Sequence, residues 1–365
     1  MGKRTESECT SDVAQESLAS SHPDDTIFQD SEALDRSRLR SQRQDQPPTD
    51  VPGYTILRCL GRGAYGSVWL GYEEKTGKQV AIKFYFHRRG LDWTLLCREI
   101  EKLALLYTSR YIVRLLDVGW SSDPPYFVME YLENGSLESL LEREPLEPEQ
   151  AVRLVKSILH GLVHAHGCGI LHCDLKPANV LLDAELEPRL CDFGQSRLSD
   201  QQDPALGTLF YMAPERADLA AVPDARWDVY ALGALFYHLL CGHPPYRTEA
   251  NEQRIRAAGE LSARLKAYRE IVSHSPPPSE HRRKKGVDKR LADISDRCLS
   301  PDPEKRFPNA QAVHDALELR DRQRARRPLI ALGVISPALL LACMLPISLR
   351  AMSNTVETAR NNQVE

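Results

Sequence analysis

The sequence predicts an α+β chain in two lobes, a small five-stranded antiparallel sheet and then a larger helical lobe, followed by one transmembrane helix. Three observations carry that expectation. Strand-like alternation runs through residues 54–131 around a glycine-rich turn, helical periodicity governs the stretch from 147 to about 320, and residues 328–349 hold no charge. Alternation of period two marks half-buried strands, and apolar spacing of three and four marks amphipathic helices.

Length and composition set the outer limits. A chain of 365 residues has room for two to three domain-sized units, and 42% apolar content supplies a sizeable core. The net charge of −4 gives no electrostatic reason to expect a nucleic-acid partner. The nine cysteines are scattered without a C-x-x-C pair, which argues for reduced thiols and against a disulfide framework or a zinc site. Residues 1–50 lack the apolar run of a signal peptide. Glu6 stands where a myristoylation start wants Ser or Thr. Rich in Ser, Asp, Glu, Arg and Gln, this segment buries too little apolar surface to offset the entropy of ordering, so a disordered tail is expected. Pro47-Pro48 and Pro52-Gly53 close it.

The elements follow in order. Residues 54–60 alternate, Gly61-Arg62-Gly63-Ala64-Tyr65-Gly66 turns the chain, and 67–72 resumes β character. Glu74-Lys75-Thr76-Gly77 is a second turn and 79–84 a third strand. These glycines join strand to strand, whereas a dinucleotide fingerprint joins strand to helix, so a NAD-type fold is disfavoured. Lys83 ends the apolar run Val80-Ala81-Ile82, a placement that asks for an anionic partner. Residues 91–107 set Leu96, Ile100, Leu103 and Leu106 at helical spacing, and Glu99, sixteen residues after Lys83, is placed to pair with it. Residues 111–118 and 126–131 complete the sheet, with Pro124-Pro125 in the turn between them.

Beyond Glu133 the pattern is helical. Residues 147–167 put Val152, Val155, Ile158, Leu159, Leu162 and Val163 on one face. His172-Cys173-Asp174-Leu175-Lys176-Pro177-Ala178-Asn179 then gathers a carboxylate that can accept a proton, an ammonium that can steady moving negative charge, and an amide that can hold a divalent metal. Residues 180–182 and 189–191 read as a hairpin closed by Asp192-Phe193-Gly194. Residues 228–240 read as a helix buried on all sides, and 274–285, proline-rich and then basic, as an exposed insertion. The 22 charge-free residues 328–349 extend about 33 Å as a helix, against roughly 30 Å of hydrocarbon. Arg320, Arg322, Arg324, Arg326 and Arg327 crowd the N-terminal side and only Arg350 and Arg360 lie beyond. The positive-inside rule therefore puts the large unit in the cytoplasm and residues 350–365 outside.

This ensemble resembles the eukaryotic-type protein kinases over roughly residues 54–320. The resemblance implies a bilobal kinase domain over 54–318, divided near 132, then a basic juxtamembrane segment at 319–327. It implies ATP and Mg2+ as cofactors, with Mn2+ as the alternative ion. Gly61, Arg62, Gly63 and Gly66 would cover the phosphates, Lys83 would bind two of them, and Glu99 would orient Lys83. Asp174 would accept the substrate hydroxyl proton with Lys176 beside it, and Asn179 and Asp192 would hold the metal. Val68, Ala81 and Leu181 would sandwich adenine, with Glu130 to Leu132 as the hinge and Met129 as gatekeeper. The resemblance further implies a Glu215–Arg306 pair at the end of the activation segment, and a stack of Leu103, Leu115, His172 and Phe193 anchored by Asp228. Lys176, two residues after Asp174, and Thr208 fit the Ser/Thr class.

Departures from the pattern matter as much. Cys173 stands where many family members carry Arg, whose guanidinium holds a phosphate on the activation loop. A thiol cannot do that, so activity is expected not to need a phosphate at Ser196, Ser199 or Thr208. Phe307 replaces the commoner Pro after Arg306 without expected harm, and Cys191 reads as buried packing rather than a redox target. A kinase with a C-terminal span resembles the bacterial receptor-like Ser/Thr kinases, but the 16 residues after the span are too few for a sensor domain. A pure anchor, sensing by a partner, or an incomplete chain are the options. The expected function is a membrane-anchored Ser/Thr protein kinase in signalling. Its expected partners are protein substrates and the membrane through 328–349, with a second copy left open and no nucleic acid. Intact Lys83, Asp174, Asn179 and Asp192 disfavour a tethered pseudokinase scaffold, and Lys176 with a complete Ala213-Pro214-Glu215 disfavours a small-molecule or lipid kinase.

Overall fold

The computed structural model describes residues 47–62, 66–85, 93–142, 146–193 and 206–361, with parts of the helix at 93–105 and of the C-terminal helix described in backbone only. The expected disordered tail thus lies outside the described residues, apart from 47–50. Strands β1 (Tyr54–Arg62), β2 (Gly66–Glu73), β3 (Gln79–Tyr85), β4 (Leu115–Gly119) and β5 (Tyr126–Glu130) form one antiparallel sheet in the order β1-β2-β3-β5-β4. Helix α1 (Trp93–Leu105) follows β3 and packs near β4.

Strand alternation decides which residues face the other lobe. Val80, Ile82 and Phe84 bury one face of the sheet with Trp69, Tyr126 and Val128. The opposite face carries Ala81, Lys83 and Tyr85, and its apolar members join the core shared with the helical lobe. Register sets Lys83 opposite Phe127 and Ala81 opposite Met129.

The single strand expected at 111–118 is shorter than its apolar pattern suggests. Val113 N–H donates to Leu190 at 3.0 Å, and Leu190 N–H donates to the Tyr111 carbonyl at 2.8 Å. Backbone groups engaged there are not available to β5, so β4 begins only at Leu115. The lost strand residues instead tie the two lobes together.

The helical lobe holds α2 (Leu137–Leu141), α3 (Pro148–Gly167), the hairpin β6 (Val180–Leu182) and β7 (Pro188–Leu190), and the one-turn α4 (Leu206–Leu209). It continues with α5 (Ala225–Cys241), α6 (Glu249–Ala257), α7 (Leu261–His274), α8 (Lys289–Cys298) and α9 (Ala310–Asn361). A capping box between Glu147 and Gln150, with Pro148 in the first turn, starts α3. Asp224 caps α5 by accepting from Arg226 N–H, and Gly242 ends it at φ 86. From Trp227 to Leu240 every α5 residue except His238 is buried, as the all-apolar pattern predicts. Helices α3, α8 and α9 surround it.

The stretch 274–285 is largely exposed, as expected, but Glu280–Arg283 form a 3-10 turn with His281 fully buried, its Nε2 3.0 Å from Asp296. Arg282 pairs with Asp293 at 2.7 Å and with Asp296. Arg282 of the basic run thus meets acidic residues of α8, a partner that composition alone does not display. The C-terminal boundaries lack any break in structure, because α9 runs continuously from 310 to 361. Arg320, counted above as a membrane flank, is buried, and its Nε donates to Asp288 at 2.7 Å. Arg324 pairs with Glu149 at 2.8 Å, and Lys156 with Asp321 at 3.1 Å. Among the described residues no helix is long and apolar enough to cross a membrane. The side chains of 327–339, more than half of the charge-free run, lie outside them.

Glu215 and Arg306 form a two-point ion pair in the helical lobe. Nη1–Oε1 is 2.7 Å and Nη2–Oε2 is 2.8 Å, and the guanidinium also donates to the carbonyls of Ser300 and Arg226 at 2.7 and 3.1 Å. Removing one partner of a buried pair leaves the other charge uncompensated. R306M is expected to cost roughly 3–5 kcal/mol of stability in urea unfolding. A loss below about 1 kcal/mol, the range of exposed pairs, would show that the contact is not structural.

Candidate active site

The site is built outward from a buried carboxylate on α5. Asp228 accepts from His172 N–H at 2.9 Å, from Cys173 N–H at 2.7 Å and lies 2.9 Å from His166 Nε2. Burial pushes this carboxyl up, but the His166 hydrogen bond and the neighbouring charges outweigh it and hold the group below the usual carboxylate range. With both amides fixed, Cys173 takes φ 62, and the chain turns so that Asp174 comes next.

Asp174 is then held by its own loop. Its Oδ2 accepts from Lys176 Nζ at 2.8 Å and from Asn179 Nδ2 at 2.9 Å, and Asn179 also donates to the Asp174 carbonyl at 2.8 Å. The short turn Pro177–Asn179 makes that return geometry. Because Asn179 uses its NH2 on Asp174, its amide oxygen remains the acceptor end of the group.

Lys83 is the meeting point of the lobes. Its Nζ lies 2.9 Å from Glu99 Oε1 and 2.5 Å from Asp192 Oδ1. Tyr85, two residues on and hence on the same strand face, donates its hydroxyl to the other oxygen of Glu99. Burial pulls the ammonium pKa of Lys83 down, yet Asp192 and Glu99 outweigh it and leave the group well above its ordinary value. Desolvation pushes Asp192 up, but Lys83 overrides it and holds the carboxyl at about 2. In Glu99 burial wins over Lys83, and the pKa is raised. Phe193 packs its ring 4.7 Å from His172, and its carbonyl accepts from Lys102 at 2.7 Å. Leu103 and Phe193 share one buried core, with Leu115 packed on it.

The two described glycines of the 61–66 stretch differ in their surroundings. A Cβ at Gly61 would meet nothing within 4 Å, while one at Gly66 would lie 1.9 Å from the Phe84 carbonyl oxygen. Gly61 therefore offers backbone to open space, and Gly66 is needed for strand approach. Arg62 ends β1 at the surface, and Gly63 lies outside the described residues. Val68 and Leu181, partly buried, pack with Ala81, Met129 and Leu132 in the shared core. Glu130 accepts from Arg114 N–H at 2.9 Å at the crossing between lobes.

These residues fit a nucleotide with a divalent ion. One carboxylate and one amide oxygen, both hard donors, suit Mg2+, which keeps few protein ligands and takes phosphate oxygens for the rest. Asn179 and Asp192 are the candidates for that pair. Next to Lys176 a cavity of about 510 Å³ opens, lined also by Thr208, Tyr211, Glu138, Glu142 and Arg247. Nothing in the sequence pattern announced it.

Sequence reasoning missed several residues. Lys102 stands three residues after Glu99, so helical spacing could have put both on one face. Tyr85 could have been found by counting two along the strand. His166 and Arg216, whose guanidinium donates to the Cys173 carbonyl, act across the fold and gave no local signal. Cys191 is buried with its thiol pushed well up by burial, and Cys173 is pushed to about 12 for the same reason, so both are packing thiols. Phe307 is buried under the Arg297 guanidinium, 4.1 Å from its ring centre. Ser196 and Ser199 lie outside the described residues.

Comparison with known proteins points one way. The protein kinase domain matches residues 54–317. Serine/threonine-protein kinase pkn3 of Myxococcus xanthus is 30% identical over 290 residues, 75% of this chain and 51% of its own length. Serine/threonine-protein kinase PknB of Mycobacterium leprae is 30% identical over 297 residues, 77% of this chain and 45% of its own. Serine/threonine-protein kinase pkn2 of Myxococcus xanthus is 35% identical over 206 residues, 53% of this chain and 25% of its own. The chain thus spans about half the length, or less, of these curated relatives.

The two described glycines of the turn separate by substitution. G66A forces Phe84 to move and is expected to lower stability by about 1–3 kcal/mol, the cost of overpacking. G61A is expected to stay within about 0.5 kcal/mol. Denaturant midpoints measure both, and equal losses would contradict the packing of the turn.

Proposed function

We propose, from the premise that the chain belongs to the protein kinase family, that it transfers the γ-phosphoryl group of ATP to serine or threonine hydroxyls of protein substrates. We further propose that it does so as a signalling enzyme held at a membrane. One observation carries the catalytic reading: a single lysine, Lys83, bridges Glu99 at 2.9 Å and Asp192 at 2.5 Å in a cleft that also holds Asp174 and Asn179.

Bound ATP with its divalent ion supplies a phosphorus centre whose surrounding charge is already partly neutralised. The protein's part is then positioning and electrostatics. Glu99 and Tyr85 hold Lys83 toward the phosphates, and Asn179 and Asp192 are the residues that would hold the ion. Asp174 takes the proton of the acceptor hydroxyl, and Lys176, 2.8 Å away, keeps positive charge beside the moving phosphoryl group. Gly61 lets backbone amides approach the phosphates, and Val68, Ala81 and Leu181 enclose the ring beside the 130–132 crossing. The cavity by Lys176 and Thr208 would give the acceptor chain its place, and Lys176 two residues after Asp174, together with the serine/threonine-protein kinases among the relatives, supports a Ser/Thr rather than a Tyr substrate.

The activity test uses the full chain with labelled ATP, magnesium and a basic protein, and D174N as its control. Loss of the proton acceptor is expected to lower transfer about 10²–10⁴-fold. Transfer no greater than that of D174N would favour a scaffold that binds nucleotide without chemistry.

The membrane reading rests on the far end of α9. Leu340, Leu341, Met344, Leu345, Ile347 and Leu349 are each more than half exposed. Such a run of bare apolar side chains asks for an apolar surround. The expected outcome is that the full chain sediments with membranes and resists extraction at alkaline pH. Recovery in the soluble fraction would sink the anchor.

A further inference from the structure

Two backbone carbonyls beside the candidate carboxylates are held from outside the site. The backbone of Cys173 is gripped on both sides of its Cα. Its N–H goes to Asp228 at 2.7 Å, and its C=O accepts from the Arg216 guanidinium. Arg216 is only 7% exposed, lies over the Trp227 ring at 5.9 Å and directly follows Glu215, itself fixed by Arg306. Across the site, the Phe193 carbonyl accepts from Lys102 at 2.7 Å. Cys173, whose own carbonyl is held, and Asp192, which precedes Phe193, sit at φ 62 and φ 60. Left-handed backbone at a non-glycine residue persists only where its surroundings over-determine it. The two basic side chains supply part of that determination.

Resting on the kinase reading, we propose that Arg216 is a positioning residue for phosphoryl transfer. From the end of the activation segment it fixes the Cys173–Asp174 peptide, while Lys102 fixes the Phe193 peptide beside Asp192 from α1. The two carboxylates are thereby set without a phosphate on that segment. A guanidinium offers a planar fork to a carbonyl, whereas an ammonium offers a point charge on a flexible stem, so lysine replaces Arg216 only in part.

The test uses the full chain, phosphatase-treated, as wild type, R216K, R216M and K102M. Two readouts are taken: kcat and KM for ATP, and the rate of Cys173 alkylation by N-ethylmaleimide, mapped by peptide mass spectrometry on protein whose circular dichroism is native. Wild type is expected to keep its kcat after phosphatase. R216M is expected to lose about a hundredfold in kcat, the cost of a small misplacement of a catalytic group. Its KM for ATP is expected to stay within about twofold, since nucleotide binding is untouched. R216K is expected to fall between the two, and Cys173 to alkylate faster in R216M. K102M carries the same kcat expectation from the other lobe and decides the matter if R216M does not fold. Wild-type kcat in R216M, unchanged alkylation, or loss of activity on phosphatase treatment would each overturn the proposal. If the wild type itself transfers no phosphate, the kinase reading falls, and the alkylation rates still decide whether the clamp exists.

Discussion

The interaction on which the rest of the site depends is the buried carboxylate of Asp228. With 0% exposure it stays charged only if donors meet its oxygens. His166 and two successive backbone amides, those of His172 and Cys173, do so. Cys173, which supplies the second of these amides, sits at φ 62, and its carbonyl is met by Arg216. A helix buried on nearly every side, as α5 is, offers a fixed acceptor. The core therefore sets the direction in which Asp174 leaves.

Lys83 does for the relation between lobes what Asp228 does within one. An ammonium in this half-closed cleft is stable because two carboxylates face it, one from α1 and one from the end of the second hairpin. Withdraw either element and the other carboxylate and the lysine are left less well compensated. The lobes are also joined by backbone, through the Tyr111–Leu190 and Val113–Leu190 bonds. Their relative placement is overdetermined by unlike forces, one electrostatic and one a directional hydrogen-bond ladder.

Much of this was legible in the chain, and the limit of legibility is physical. Strand alternation placed Lys83 among apolar neighbours and so demanded a counter-charge, and the nearly charge-free 228–240 announced a buried helix. Such features repeat locally, so a short window carries them. Arg216 to the Cys173 carbonyl, Lys102 to the Phe193 carbonyl and His281 to Asp296 involve a side chain meeting a group far away in sequence. No period encodes those meetings. The 111–118 stretch failed for the same reason: its apolar pattern fits a strand, but the hydrogen-bond partner that shortens it lies on β7.

The C-terminal helix shows how one element can serve two environments. Val313 and Leu317 are buried in the core, and Arg320 closes on Asp288, which also caps α8 by accepting from Leu291 N–H. Arg324 still finds Glu149 a turn later, and from Leu340 onward the large apolar side chains are bare. The helix does not break between these regions, so no flexible joint separates the docked turns from the bare ones. In the proposed membrane reading the direction in which the chain enters the bilayer is therefore set by ion pairs on the helical lobe. Asp288 couples that grip to α8, and α8 packs on α5, the helix that carries Asp228. Contacts thus link the docked turns of this helix, through Asp288 and α8, to the helix whose carboxylate orients the candidate catalytic loop.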